Sequence, residues 1–332
     1  MSSGSPIDSS PHRVSIVVTN YNGRGNLGSC LPGLLGSWEA NDKITEVILV
    51  DDCSDDDSVD WVRENFPQVR IVVLLERTGF QGAANAGFDA AQGDLVALFS
   101  NDMVPDRDFL TPLIGHFQDP TTFAVACQLF DPDGSPQSGR TIGSFLTGNL
   151  MVVDSAKGYR PLSFLGPWPS DRACQTLYTG GNALYDRKKF KELGGFDSLY
   201  HPFYWEDLDL CFRAWSRGFR VLYEPLARVF HNRSQGTIRR FYSKSFAQTA
   251  RRRNRLLFTW RNLDDPLYWM LHLIALAIQT AFSWIILDTI FYKSFYEALR
   301  RVSAVRNRRK NDPPRVRSNR RILADAATCP DA

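Results

Sequence analysis

Between residues 14 and 100, short apolar runs alternate with helical stretches, and each run stops in a cluster of polar side chains. Strands are expected at Val14–Thr19, Glu46–Val50, Val69–Leu75 and Asp94–Phe99, with helices at Leu27–Trp38, Val59–Phe66 and Gln81–Ala91 between them. Short apolar strands separated by helices predict an α/β fold: a mixed, mostly parallel sheet flanked by helices. Ligands of such sheets bind beyond the carboxyl ends of the strands. Thr19-Asn20-Tyr21-Asn22, Asp51-Asp52, Glu76-Arg77 and Ser100-Asn101-Asp102 occupy those ends.

The middle of the chain is less regular. A helix is expected near Asp106–Phe117, a strand at Phe123–Phe130, a strand over Thr176–Arg187 and a short helix over Arg187–Leu193, with Gly and Pro punctuating 131–170. Then Phe203 opens an aromatic run that holds three acids, Glu206, Asp207 and Asp209, among Trp205, Leu208, Leu210 and Phe212. Carboxylates are rarely buried without a partner. Two readings explain them: acids at a helix N-terminus, favoured by the macrodipole, or a proton acceptor whose pKa is raised by apolar walls.

Gly23-Arg24-Gly25-Asn26-Leu27-Gly28 matches G-x-G-x-x-G, which would suggest an NAD-dependent oxidoreductase. Thr19–Asn22 separate the strand from the first Gly, however, whereas that fingerprint wants the tight turn at the strand end. Asp51 and Asp52 are candidates for holding a nucleobase or ribose, while Asp55–Asp57 read as caps of the next helix. Asp102 suits a divalent cation that grips a diphosphate. His231 is its candidate partner, and imidazole favours Mn²⁺ over Mg²⁺.

Eight short motifs follow in one order: Val14–Gly23, Val50–Asp56, Gly79–Gly87, Ser100–Asp102, Thr179–Leu184, Gly194–Asp197, Trp205–Leu210 and His231. In that order the chain, over about residues 12–262, resembles family 2 glycosyltransferases of the GT-A (Rossmann-like) fold, especially the rhamnosyl- and galactofuranosyltransferase-like branch. The resemblance implies an inverting transferase with a nucleotide-sugar donor, dTDP- or UDP-linked, and a divalent metal, Mn²⁺ or Mg²⁺. Thr19, Tyr21 and Asp52 would hold the nucleoside with Asp51 in support, and Arg77 and Asn101 fall on the donor side. Gly180, Gly181 and Asn182 would leave room for the donor sugar. Asp102 and His231 would bind the metal. Asp207 would be the general base, with Trp205, Glu206 and Asp209 shaping the acceptor site. Two positions depart from the pattern: Ser100-Asn101-Asp102 carries one carboxylate where relatives carry two or three, and Arg77 replaces a common Asn.

The formal charge of +3 hides an asymmetry. No acid occurs from Gly236 to Leu263, and eleven Lys/Arg fall between Lys293 and Arg321. Residues 238–262 read as a basic helix. Pro266–Leu287 has no charged residue across 22 positions, long enough to cross a bilayer. Both flanks are basic, which favours a helix or hairpin lying in the cytoplasmic leaflet on anionic lipid over a single span. The expected partner is therefore a lipid-linked glycan acceptor in cell-surface polysaccharide synthesis, met at the cytoplasmic face of the membrane. The Arg-rich tail comes without a stacking platform or recognition motif, so nucleic acid is not expected. A non-catalytic, membrane-bound relative of the same fold is a further alternative. Without a membrane the apolar segment would read as a dimer interface, and the oligomeric state is open.

The expected organisation is a disordered arm over 1–12, a GT-A domain over 13–262, a membrane-associating helical segment over 263–310 and a flexible tail over 311–332. The opening Met-Ser-Ser-Gly-Ser-Pro lacks the basic and apolar regions of a signal peptide. Six cysteines without CxxC spacing then read as reduced thiols in a cytosolic compartment.

Overall fold

The computed structural model describes residues 12–145, 148–155 and 171–329. Nearly all of the expected N-terminal arm, and part of the Gly/Pro-punctuated stretch, lie outside these. The first half alternates as the apolar runs require: β1 (Val14–Asn20), α1 (Arg24–Ala40), β2 (Ile44–Asp51), α2 (Ser58–Asn65), β3 (Arg70–Val73), α3 (Gly79–Ala90) and β4 (Leu95–Ser100). Next come β5 (Met103–Pro105), α4 (Thr111–Ile114), β6 (Thr122–Phe130), β7 (Pro136–Ser138), β8 (Thr141–Ser144), β9 (Met151–Asp154) and β10 (Cys174–Gln175). β11 (Ala183–Asp186), α5 (Arg187–Glu192), α6 (Glu206–Ser216) and β12 (Arg220–His231) complete the sheet region. Five helices follow: α7 (Thr237–Phe241), α8 (Lys244–Asn262), α9 (Pro266–Ile285), α10 (Thr289–Leu299) and α11 (Val302–Asn311), with α12 (Asn319–Ala327) after them.

The main sheet runs β10-β12-β6-β11-β4-β1-β2-β3, with β5 paired to β12 and β7 to β6. β4, β1, β2 and β3 are parallel, and β11 is antiparallel to both β4 and β6. Thr19 sits opposite Ser100 and Asn20 opposite Asp51, so three polar strand ends meet at one edge. Each face of the sheet carries its own core. Leu27, Leu31, Leu34 and Phe109 cover one; Phe88, Phe212, Trp215 and Phe258 cover the other.

Several expectations need correction. The region read as a strand over Thr176–Arg187 is a strand only at Ala183–Asp186, because Gly180 and Gly181 take left-handed φ angles of +72° and +84°. The Asp106–Phe117 helix shrinks to Thr111–Ile114 and a following 3-10 turn. The basic helix breaks at Ser243, whose side chain caps α8. The core does not stop at residue 262: Ala298, Val305, Ile322 and Ala326 are buried with Phe212 and Phe258. The stretch read as a flexible tail from 311 on contains α12, tied down by Arg140, which donates to the carbonyls of Ala327 (2.6 Å) and Thr328 (3.1 Å). That return brings Cys329 to Cys174, Cα–Cα 4.6 Å, and the two form a disulfide, so not all six cysteines are reduced thiols. Partners 155 residues apart leave no mark in local spacing.

Candidate active site

The polar strand ends open into a cleft of about 680 Å³. Thr19, Tyr21, Asp52, Arg77, Asn101, Asp102, Gly180, Gly181, Trp205, Glu206, Asp207 and His231 all line it. At one wall of the cleft, Arg77 lays its guanidinium 3.6 Å over the Tyr21 ring, and Phe241 of α7 packs edge-on against that ring at 5.3 Å. Asp52 accepts from the Thr78 N–H (2.7 Å), the Thr78 hydroxyl (2.9 Å) and the Gly79 N–H (2.8 Å), so it also anchors the start of α3. Burial raises its pKa, and those three donors offset part of the rise. Asn101 is held between Asn20 (2.7 Å) and Asn26 (3.2 Å). A Cβ on Gly23 would meet Asn101 Nδ2 at 1.9 Å, so the first glycine of the G-x-G-x-x-G run serves this amide chain.

Asp102 and His231 come together where β12 passes β5. His231 Nε2 lies 3.2 Å from Asp102 Oδ2, and the other carboxylate oxygen of Asp102 is buried without a hydrogen-bond partner. The tautomer follows from Gln137. Its amide nitrogen donates to Asp131 Oδ1 (2.6 Å) and to the His231 carbonyl (3.0 Å), which are both acceptors only. Gln137 Oε1 must therefore face His231 Nδ1, at 2.7 Å, and accept its proton. Nε2 is then the ring nitrogen turned to the Asp102 carboxylate, so the two side chains can either bond to each other or turn one lone pair each to a shared cation. Among the described residues no group of three His, Cys, Asp or Glu side chains gathers as a metal site. A cation held here by two side chains would draw further ligands from phosphate oxygens or water, as Mg²⁺-type sites do.

The acids do open a helix, and two of them are also buried in the cleft wall. Glu206, Asp207 and Asp209 form the first turn of α6, and the first two also line the cleft. Tyr204 and Trp205 precede them with φ of +72° and +79°, a strain of about 1–3 kcal/mol each for non-glycine residues. α8 holds this loop: the buried Asn254 amide donates to the carbonyls of Tyr200 (2.7 Å), Phe203 (3.0 Å) and Tyr204 (2.9 Å), and Arg253 to that of His201 (2.6 Å). Burial pushes Asp207 up to about 6, partly offset by the Leu208 N–H. Burial, then the Asp207 charge, pushes Glu206 well above the carboxylate range, and one Glu206 oxygen has no partner. The two acids are neighbours and titrate as a pair, and burial raises both.

Three expected site residues do not reach the cleft. Asp209 is fully enclosed, paired with Arg213 (2.8 Å) and Arg261 (3.2 Å) and bonded to Tyr200 and Asn262. Burial alone would raise its pKa, but the two guanidinium groups hold it at about 2, so it does not shape an acceptor site. Asp51 is buried beneath the loop, accepting from Asn20 (2.8 Å) and from Ser54. Asn182 is also buried, behind the two glycines, with neither amide atom hydrogen-bonded. Gln137, Tyr178, Arg251 and Asn254 were missed by the sequence reading. The Asp209/Arg213 spacing of four was a visible signal of an ion pair; nothing in the sequence marks Gln137.

The polar strand ends, the Asp102–His231 pair and Asp207 thus share one cleft at the edge of a mostly parallel sheet. Residues 15–194 match the family model "Glycosyl transferase family 2", and the chain belongs to that family. The oxidoreductase alternative is thereby set aside. A pre-mycofactocin glycosyltransferase of Mycobacterium tuberculosis is 30% identical over 225 residues, 67% of this chain and 43% of that protein. The chain thus corresponds to less than half the length of that relative. An N-acetylglucosaminyl-diphospho-decaprenol L-rhamnosyltransferase of the same organism is 28% identical over 60% of this chain and 70% of its own. Among solved structures, the mannosyltransferase PcManGT from Pyrobaculum calidifontis, in complex with GDP-Man and Mn²⁺, superposes with a TM-score of 0.53 at 19% identity over 91% of this chain and 88% of that one. GalNAc-T7 with UDP, GalNAc and Mn²⁺ gives 0.56 at 16% identity over 78% and 49%. At these identities the structures bear on the fold alone.

Proposed function

We propose that this glycosyltransferase moves a sugar, with inversion, from a dTDP- or UDP-linked donor to a hydroxyl of a lipid-linked glycan in cell-surface polysaccharide synthesis. The observation that carries the reading is Asp207: a cleft-lining carboxylate with no cationic partner among the described residues and a raised pKa, in the same cleft as Asp102 and His231. The acceptor oxygen forms a bond to the anomeric carbon as the bond to the nucleoside diphosphate breaks, and Asp207 takes the hydroxyl proton. Glu206, protonated beside it, keeps a second negative charge away from the base. Tyr21, Arg77 and Asp52 hold the nucleoside, and the left-handed turn at Gly180 and Gly181 passes the sugar without side chains. Asp102 and His231 would hold Mn²⁺ or Mg²⁺, which when bound neutralises charge on the departing diphosphate.

The lipid-linked acceptor is supported by the rhamnosyltransferase relative and by α9. Met270, Leu273, Ile274, Ile278 and Phe282 are exposed along this helix. Its start is tied to α12 through Asp265 and Arg320, Trp260 of α8 donates to His272 at 3.0 Å, and Arg252 of α8 pairs with Asp288 just past its end at 2.5 Å. A helix held to one body along its length suits lying in a membrane surface rather than crossing it.

The test is calorimetric titration with UDP, dTDP, GDP and NAD, each with Mn²⁺ and with EDTA. Metal-dependent binding of one nucleoside diphosphate and none of NAD is expected; NAD binding indifferent to EDTA would refute the reading.

A further inference from the structure

The run Arg251-Arg252-Arg253-Asn254-Arg255 of α8 divides sharply by partner. Arg252 pairs with Asp288 (2.5 Å), Arg253 with Glu297 (3.0 Å), and Asn254 holds three carbonyls of the Tyr200–Tyr204 loop. Arg251 and Arg255 have no acidic partner among the described residues, and a spacing of four puts them on one face of the helix. Arg251 lines the cleft and stacks at 4.5 Å on the ring of Tyr204, three residues before Asp207. Arg255 is partly buried one turn further on, its Nε enclosed and without a partner. It lies close enough to α9 that its charge joins burial in lowering the pKa of His272. A guanidinium drawn partly out of water without a counter-charge, as Arg255 is, is costly; beside the exposed Arg251 it suits a planar-forked hold on phosphate.

We infer that Arg251 and Arg255 form an anion subsite for the phosphate or diphosphate of the lipid-linked acceptor. The argument is one of order. Asp207 and Arg251 share the cleft wall, Arg255 follows one turn on, near the inward-facing His272 of α9, and α9 carries apolar residues on its exposed side; along a glycosyl diphosphate lipid come the reacting sugar, the phosphates and the chain. The inference rests on the proposed acceptor class, and it places the acceptor phosphates apart from the donor diphosphate at Asp102 and His231. The same chemistry is offered by the headgroups of an anionic bilayer, so the test separates the two.

The probe is geranyl diphosphate, titrated in EDTA into the full chain and into Arg251→Gln, Arg255→Gln and the double variant. Each single change is expected to weaken binding roughly 10-fold and the double about 100-fold, with UDP–Mn²⁺ or dTDP–Mn²⁺ affinity held within about twofold as the control for folding and for the donor site. Arg251 is exposed, so Arg251→Gln keeps the test open if Arg255→Gln fails to fold. Geranyl diphosphate binding that is absent, or indifferent to both substitutions, overturns the subsite. So does loss of flotation with phosphatidylglycerol vesicles in the variants while geranyl diphosphate affinity is unchanged, which would make the pair a headgroup contact. Arginine-dependent binding of geranyl diphosphate in a protein that takes no nucleoside diphosphate would keep the subsite and refute the transferase donor instead.

Discussion

Asp207 and Asp209 stand two residues apart on one helix, yet their surroundings are opposite. Asp209 faces inward and is ringed by Arg213, Arg261, Tyr200 and Asn262; Asp207 faces the cleft and accepts from backbone N–H groups, that of Leu208 at 2.7 Å. One carboxylate is pinned at about 2 and the other is raised to about 6. Burial acts on both, so what separates them is partners. A buried acid that is fully paired holds the fold together, and a buried acid left unpaired is free to accept a proton.

The widest separation of the two is expected from neutralising each. Asp207→Asn should lower the transfer rate by about 10²–10⁴ with nucleotide affinity unchanged, read from steady-state kinetics beside a nucleotide titration; near-full activity would end the assignment. Asp209→Ala should leave Arg213 and Arg261 buried without their shared acid and cost about 3–5 kcal/mol, measured by urea unfolding. If Asp209→Ala instead kept its stability and lost acceptor affinity, the contrast would collapse.

Replacing Gln137 by Leu frees the His231 tautomer, and support of this kind is worth about 10–100-fold in metal affinity. Mn²⁺ titration followed by electron paramagnetic resonance, with nucleoside diphosphate present, should show that loss without a change in the Asp207 pH profile. The smallest effect is pH itself. The folded pKa of Asp207 lies above its ordinary value, and the base works ionised, so the transfer rate should fall about tenfold per unit as pH drops below about 6. Asp209 has the opposite sign. Its contribution to stability is present above the ordinary carboxylate pKa and is lost as pH falls through about 2. An acid limb of activity that tracked unfolding would tie the two acids together and contradict their separation.

The sheet edge was legible because β1 to β4 obey a local rule: an apolar run, then a polar stop. Thr19, Asp52 and Asp102 could be picked from such stops, Asp207 from the acids set in an aromatic run, and all four line the cleft. Asp209 was misplaced because one of its two cations, Arg261, lies 52 residues away, although Arg213 was in view. β12 has no clean alternation, since its pairing with β6 shifts register between Glu224 and Arg228. Gln137 is one polar residue in a short strand, and its meaning exists only once His231 and Asp131 are beside it. Arg251 was read as part of a basic flank, because charge is visible in a sequence and the absence of a counter-charge is not.

Asn254 closes the loop that presents the base, but it is made long after that loop. Strands β1 to β4 leave the ribosome first. Asn254 follows Tyr204 by 50 residues, so the left-handed turn at Tyr204 and Trp205 is synthesised well before the amide that holds its carbonyl. A chain cut short before α8 would keep the polar strand ends and lose the donor that fixes the turn ahead of Asp207.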